Sequence, residues 1–191
     1  MLIIGVDPGT ATTGWGVVNT TGNIKQGTAK EKHNWSRRAN GRSLSLVDFG
    51  CIITNSTDEM GERLFIIRRS LQKIIKTHRP DLMVIERLFF GANATSALSV
   101  GQARGVVLLV ARENKLTTFE YTGLEVKLTV ADHGRADKKT VQAAVKKHLG
   151  VTRLRNPKDQ FGREVFRFRD DAYDAVAATI CHMIKTSDQI L

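Results

Sequence analysis

The chain has only two cysteines, Cys51 and Cys181, far apart and without a CxxC partner. That excludes a disulfide framework and a cysteine-built zinc site, and both read as small core hydrophobes in a reducing compartment. No apolar run reaches the roughly 18 residues of a membrane-spanning helix, and no basic amphipathic stretch suits a membrane surface. The opening MLIIGVDPG has no basic segment ahead of its apolar one, so no secretory signal is expected. Internal repeats, low-complexity tracts and linkers are also missing. Acid is in deficit: 19 Asp and Glu stand against 29 Lys and Arg, a formal charge of +10. Such a surplus speaks of partners rather than fold, and nucleic acid is the commonest anionic partner. With 41% hydrophobic residues in 191, the expectation is one soluble cytoplasmic domain over residues 1–191, with a real core and no membrane partner.

Leu2, Ile3, Ile4 and Val6 read as a strand buried on both faces, ending on Asp7 before Pro8-Gly9-Thr10. Gly14–Asn19 and Asp48–Thr54 read as a second and third strand, the three forming an antiparallel meander. A long polar arm between them holds Lys25, Lys30, Lys32, Arg37, Arg38 and Arg42 against the single acid Glu31. It reads either as a solvated loop or as a basic arm lying on a phosphate backbone. Met60, Leu64, Ile67, Leu71, Ile74 and Ile75 recur at helical steps over Glu59–His78, and Pro80 follows the helix end. Leu82–Ile85 is another buried strand, and again a carboxylate, Glu86, stands at its end. Thr95–Arg112 reads as a helix with Ala97, Gly101 and Gly105 on one side, Thr117–Tyr121 as a strand, and Asp137–Leu149 and Asp170–Ile184 as helices. That order predicts an α/β fold with an antiparallel edge and parallel later strands.

In such a sheet, functional groups collect at the carboxyl ends of the strands, where Asp7 and Glu86 stand. If those strands are neighbours, about 4.8 Å apart, the two acids share one gap. Asp171 and Asp174, three apart in RDDAYDAVAATICHM, share a helix face. Four convergent carboxylates repel and raise one another's pKa, and a hard divalent cation such as Mg²⁺ resolves the repulsion while keeping positions open for water and phosphate oxygens. Two such ions about 4 Å apart suit in-line attack on a phosphodiester. Each piece alone has a bland reading: Asp7 as a turn residue, Glu86 as the partner of Arg87, Asp170 and Asp171 as charges offsetting a helix dipole. The combination points to nuclease chemistry.

GVDPGTATTGWGVV, VIERLFFGANATSALSVGQARG, EVKLTVADHGRADKKTVQ and DDAYDAVAATICH resemble, in order and through nearly the whole chain, the RuvC-type crossover junction endodeoxyribonucleases. The resemblance implies a ribonuclease H-like mixed five-stranded sheet flanked by helices. It places metal-binding acids on Asp7, Glu86, Asp171 and Asp174. It also implies a Mg²⁺-dependent homodimer, with two ions per active site and Mn²⁺ as an expected substitute, that nicks four-way (Holliday) junctions symmetrically in recombination and repair. A branch-migration motor complex is a candidate partner. Phe89 matches an aromatic near the junction centre, and Lys127 and Lys138 match lysines near the active centre. A two-fold substrate suits a two-fold enzyme, and the helix Thr95–Arg112 is a candidate interface; packing on its own sheet is the alternative.

Two basic stretches exceed the family's usual length, at about 23–46 and 153–169. The second, RLRNPKDQFGREVFRFR, brings Arg153, Arg155, Arg163, Arg167 and Arg169 beside the acid pair, with Phe161, Val165, Phe166 and Phe168 as expected apolar anchors and EVFRFR as an expected short strand. With Arg37 and Arg38, these arginines are the candidate DNA contacts. The insertion leaves the choice of Asp170 or Asp171 open in principle; only Asp171 keeps the three-residue spacing to Asp174. A fold relative that processes RNA and a non-catalytic junction binder are the rival readings. A phosphate-holding kinase-like turn is a further one, disfavoured because the chain is too short for a second matching loop.

Overall fold

A computed structural model describes residues 1–21, 43–87 and 94–187. Five strands make one sheet: β1 (Leu2–Asp7), β2 (Thr12–Thr21), β3 (Ser43–Ile53), β4 (Leu82–Arg87) and β5 (Thr117–Thr122), in the order β3-β2-β1-β4-β5. The first three are antiparallel neighbours, and β4 and β5 join in parallel. Five helices are present among the described residues: α1 (Met60–His78), α2 (Ala94–Glu113), α3 (Gly123–Ala131), α4 (Lys138–His148) and α5 (Arg169–Ser187). The predicted mixed sheet is therefore what forms. The strand limits differ from the sequence reading: β3 begins at Ser43, so the last residues assigned to the 23–46 insertion belong to a strand.

Strand alternation sorts the core into two halves. Ile4, Val6, Met83 and Ile85 pack with α1 and α2 on one face, while Ile3 and Val84 pack with α3, α4 and α5 on the other. Each fully buried Val, Leu or Ile contributes roughly 1.5–3 kcal/mol. Helix α1 stops where Arg79 turns left-handed at φ 49° and returns its N–H to the Ile75 carbonyl at 2.7 Å. Helix α4 is capped by Asp137, whose carboxylate accepts from the Thr140 N–H at 2.8 Å.

Helix α3 was not anticipated, although Thr122 and Glu125 carry its signature. The Thr122 hydroxyl accepts from the Glu125 N–H at 3.2 Å, and the Glu125 carboxylate accepts from the Thr122 N–H at 2.9 Å, a reciprocal capping box. Glu125 also binds Lys185 Nζ at 2.8 Å, tying α3 to α5.

The expected strand EVFRFR does not form. Only single ladder rungs do, between Lys158 and Glu164 and between Lys158 and Gly50. Val165 is buried as expected, but Phe161, Phe166 and Phe168 are exposed rather than anchored. The segment closes the free edge of β3. Cys51 donates its N–H to the Lys158 carbonyl at 2.9 Å. The Gln160 side-chain amide accepts from the Ile53 N–H at 2.9 Å and donates to the Ile53 carbonyl at 2.7 Å. An edge strand's outward groups need partners, and Lys158 and Gln160 supply them.

Candidate active site

The β1–β4 register runs from Ile3 opposite Leu82 to Val6 opposite Ile85, so Asp7 and Glu86 stand one step beyond, at adjacent carboxyl ends. Alternation points Asp7 to the same face as Ile3 and Gly5, the face covered by α5. Helix α5 lies almost on the strand backbones. A Cβ on Gly5 would collide with the Ala175 carbonyl, and one on Gly14 with the Asp171 carbonyl. Glycine at those two positions lets the helix sink until its acidic face reaches Asp7. Carboxylate oxygens of Asp7, Asp171 and Asp174 then lie within 4.8 Å of one another.

The electrostatics follow from burial and crowding. The Asp7 carboxyl is held well above its ordinary range, first by burial and then by the charges of Glu86, Asp174 and Asp171. Burial, then Asp174, pushes Glu86 up to about 7, and burial, then Asp171, pushes Asp174 up to about 6. Asp171 is raised as well, mainly by burial. Two lysines oppose this: Lys127 acts on Glu86 and Asp174, and Lys138 on Asp7, Asp171 and Asp174. An all-oxygen donor set with uncompensated negative charge fits a hard divalent cation and suits neither a soft metal nor an anion.

Asp170 does not join the cluster. It turns to α4, accepting from Gln142 Nε2 at 2.6 Å and pairing with Lys138 Nζ at 3.2 Å. Asp171, not Asp170, is the one of the pair whose carboxylate lies with Asp7 and Asp174. Of the arginines, Arg155 pairs with Asp48, and Arg163 pairs with Asp159 at 2.7 Å, so both serve the fold of the segment between α4 and α5. Arg167 lies over the Phe168 ring, Arg169 begins α5, and Arg153 is exposed. Phe89, Arg37 and Arg38 lie outside the described residues. Arg104, within the GQARG run, forks its Nη2 onto both oxygens of Glu120 at 2.7 and 2.8 Å and so clamps α2 to β5.

The sequence model of the family described as "Crossover junction endodeoxyribonuclease RuvC" matches residues 36–182. A protein of that name from Caldicellulosiruptor saccharolyticus is 34% identical over 187 residues, spanning 98% of this chain and 95% of the relative. The chain belongs to the RuvC family. The solved Thermus thermophilus RuvC structure superimposes with a TM-score of 0.75 at 25% identity, covering 99% of this chain and 97% of that one. The T. thermophilus RuvC bound to a Holliday junction substrate shares the fold, with a TM-score of 0.74 at 24% identity and coverage of 99% and 96%. In this RuvC-family chain the three clustered acids come from β1 and α5, and Glu86 at the end of β4 feels the charges of Asp174 and Asp171. The two lysines come from α3 and α4, on the same side of the sheet. Among the described residues, no helix is long and apolar enough to cross a membrane.

Proposed function

We propose that this chain is a structure-selective endonuclease that resolves four-way DNA junctions by paired symmetric nicks, acting in the cytoplasm as a Mg²⁺-dependent homodimer. The observation that carries the proposal is the meeting of Asp7, Asp171 and Asp174 around one point, with Glu86 in their field, in a strongly basic chain of the RuvC family.

Asp7, Glu86, Asp171 and Asp174 are the residues that would hold magnesium. When bound, two such ions supply an activated water and stabilise charge on the leaving 3′ oxygen. Lys127 and Lys138, whose charges already reach the acids, are placed to hold the scissile phosphate and to offset charge as it builds in the transition state. Exposed Arg153, Arg167 and Arg169, with Arg37, Arg38 and Phe89, would contact the DNA arms and centre. The two basic insertions, near 23–46 and 153–169, are read as parts of one nuclease domain spanning 1–191.

Helix α2 supports the dimer reading. Its Ala103, Val107, Val110 and Ala111 face the sheet, whereas added Cβ atoms at Gly101 and Gly105 would meet nothing within 4 Å. Leu98 and Leu109 are 69% and 52% exposed. This outer face of small and apolar residues suits a two-fold interface that sets two acid clusters on one junction. A branch-migration motor complex fits as a further partner.

The test is a nicking assay on a synthetic four-way junction with Mg²⁺. The parent should cut two strands of like polarity. Asp7→Asn should bind the junction with the parent's affinity and cut at least about a hundredfold more slowly. Loss of binding together with cutting would make Asp7 a structural residue. Preferential cleavage of duplex RNA would favour an RNA-processing relative.

A further inference from the structure

We infer that the inserted hairpin between α4 and α5 is a base-stacking platform, with Phe161 and Phe166 receiving bases of the junction beside the scissile strand. The inference rests on the junction-resolving reading of the acid cluster and assigns the neighbouring surface.

The hairpin is rigid by construction. Val165 N–H donates to the Pro157 carbonyl at 2.8 Å, and Asp159 N–H to the Arg163 carbonyl at 2.8 Å. Gly162 makes the turn at φ +86°. The Asp159 carboxylate collects the N–H groups of Phe161 and Arg163, both at 2.9 Å, and the Arg163 guanidinium at 2.7 Å. Lys158 and Gln160 complete the edge of β3, and Val165 anchors the hairpin in the core.

None of those tasks needs an aromatic ring in solvent. Yet Phe161 is 73% exposed and Phe166 is 68% exposed. Arg163 lies over Phe161, its Cζ 5.1 Å from the ring centroid, and so covers one face and leaves the other available. A phenyl ring backed by a guanidinium on a fixed loop is suited to stack on a flat π-system, and the protein's positive charge selects a polyanion that carries one.

Chain continuity sets the place. The Phe168 carbonyl accepts from the Cys51 thiol at 3.3 Å, and α5 begins at the next residue. Phe166 is five residues from Asp171, so their Cα atoms are at most about 18 Å apart. Bases flanking a strand-exchange point near the cut are those least held by duplex stacking, and they are the proposed occupants.

Stacking and phosphate contact differ in salt dependence, because only the latter releases counterions. The full-length protein, without divalent metal, is titrated with a labelled four-way junction and with linear duplex across a potassium chloride series. Phe161→Ala/Phe166→Ala should lose about tenfold or more in junction affinity with an unchanged salt slope and unchanged duplex binding. Phe161→Trp/Phe166→Trp should restore affinity, whereas Phe161→Leu/Phe166→Leu should not. Junction affinity of the alanine variant equal to the parent's would overturn the platform and leave the resolvase reading intact. A parent that neither binds nor nicks junctions would overturn both. A variant that loses self-association but keeps its junction affinity would mark the rings as a protein contact and likewise reject the platform.

Discussion

Replacing Glu86 with glutamine should stabilise the metal-free protein while abolishing its cutting. In the fold, Glu86 is half-buried, and desolvation together with the charges of Asp174 and Asp171 lifts its pKa from 4.5 to about 7. A raised carboxyl opposes folding once the unfolded chain can ionise it. The penalty is absent below about pH 4.5, grows through the interval, and is complete above about 7. A shift of that size corresponds to on the order of 3 kcal/mol, at 1.36 kcal/mol per pKa unit. For a chain of this length it amounts to on the order of 6–12 °C in melting temperature. Thermal melts in a chelator at pH 5 and pH 8 read it directly. The parent should lose stability between the two, and Glu86→Gln should lose markedly less, the residual drop belonging to Asp7, Asp171 and Asp174. Adding Mg²⁺ at pH 8 should raise the parent's melting temperature more than the variant's. A variant no more stable than the parent at pH 8, or a parent whose stability does not change over the interval, would refute the account of an uncompensated acidic pocket.

Gly14→Ala drives a methyl group into the Asp171 carbonyl; it should cost about 1–3 kcal/mol in urea unfolding and depress nicking at saturating Mg²⁺ by lifting α5 off β2. Gln160→Ala strips both partners from Ile53 on the sheet edge and should cost about 1–3 kcal/mol by the same measurement, with the hairpin becoming sensitive to protease. Leu98→Glu on the outer face of α2 should convert a dimer to a monomer in sedimentation velocity, and it should replace paired cutting with isolated nicks.

Much of the site was legible because its chemistry is local in sequence. Asp7 and Glu86 each end an apolar run, and the spacing of Asp171 and Asp174 puts them on one helix face whatever that helix packs against. Spacing favours Asp171 over Asp170, and in the structure Gln142 and Lys138 of α4 hold Asp170 away from the other acids. The segment between α4 and α5 departs from its local pattern. Alternation in EVFRFR matches a strand, but strand formation needs a partner along its length, and this run has a single rung, Glu164 with Lys158, while the rung to β3 at Gly50 is made by Lys158. Its phenylalanines were expected to be anchors because hydrophobicity alone does not say whether a ring meets a core. Helix α3 was missed because its short apolar pattern is weak beside the capping box that starts it.

By itself, the amino-acid order determined most of the element types and the mixed sheet, and it put the candidate acids at strand ends and on one helix face, since periodicity and strand-end position are properties of the chain taken one segment at a time. Only the tertiary structure decided how close those acids come, because that depends on α5 settling against Gly5 and Gly14, residues far from it along the chain. It also decided which of the basic and aromatic residues between α4 and α5 are tied into the fold and which face solvent. Those outcomes depend on partners in β3, about a hundred residues away, whose arrival no local pattern announces.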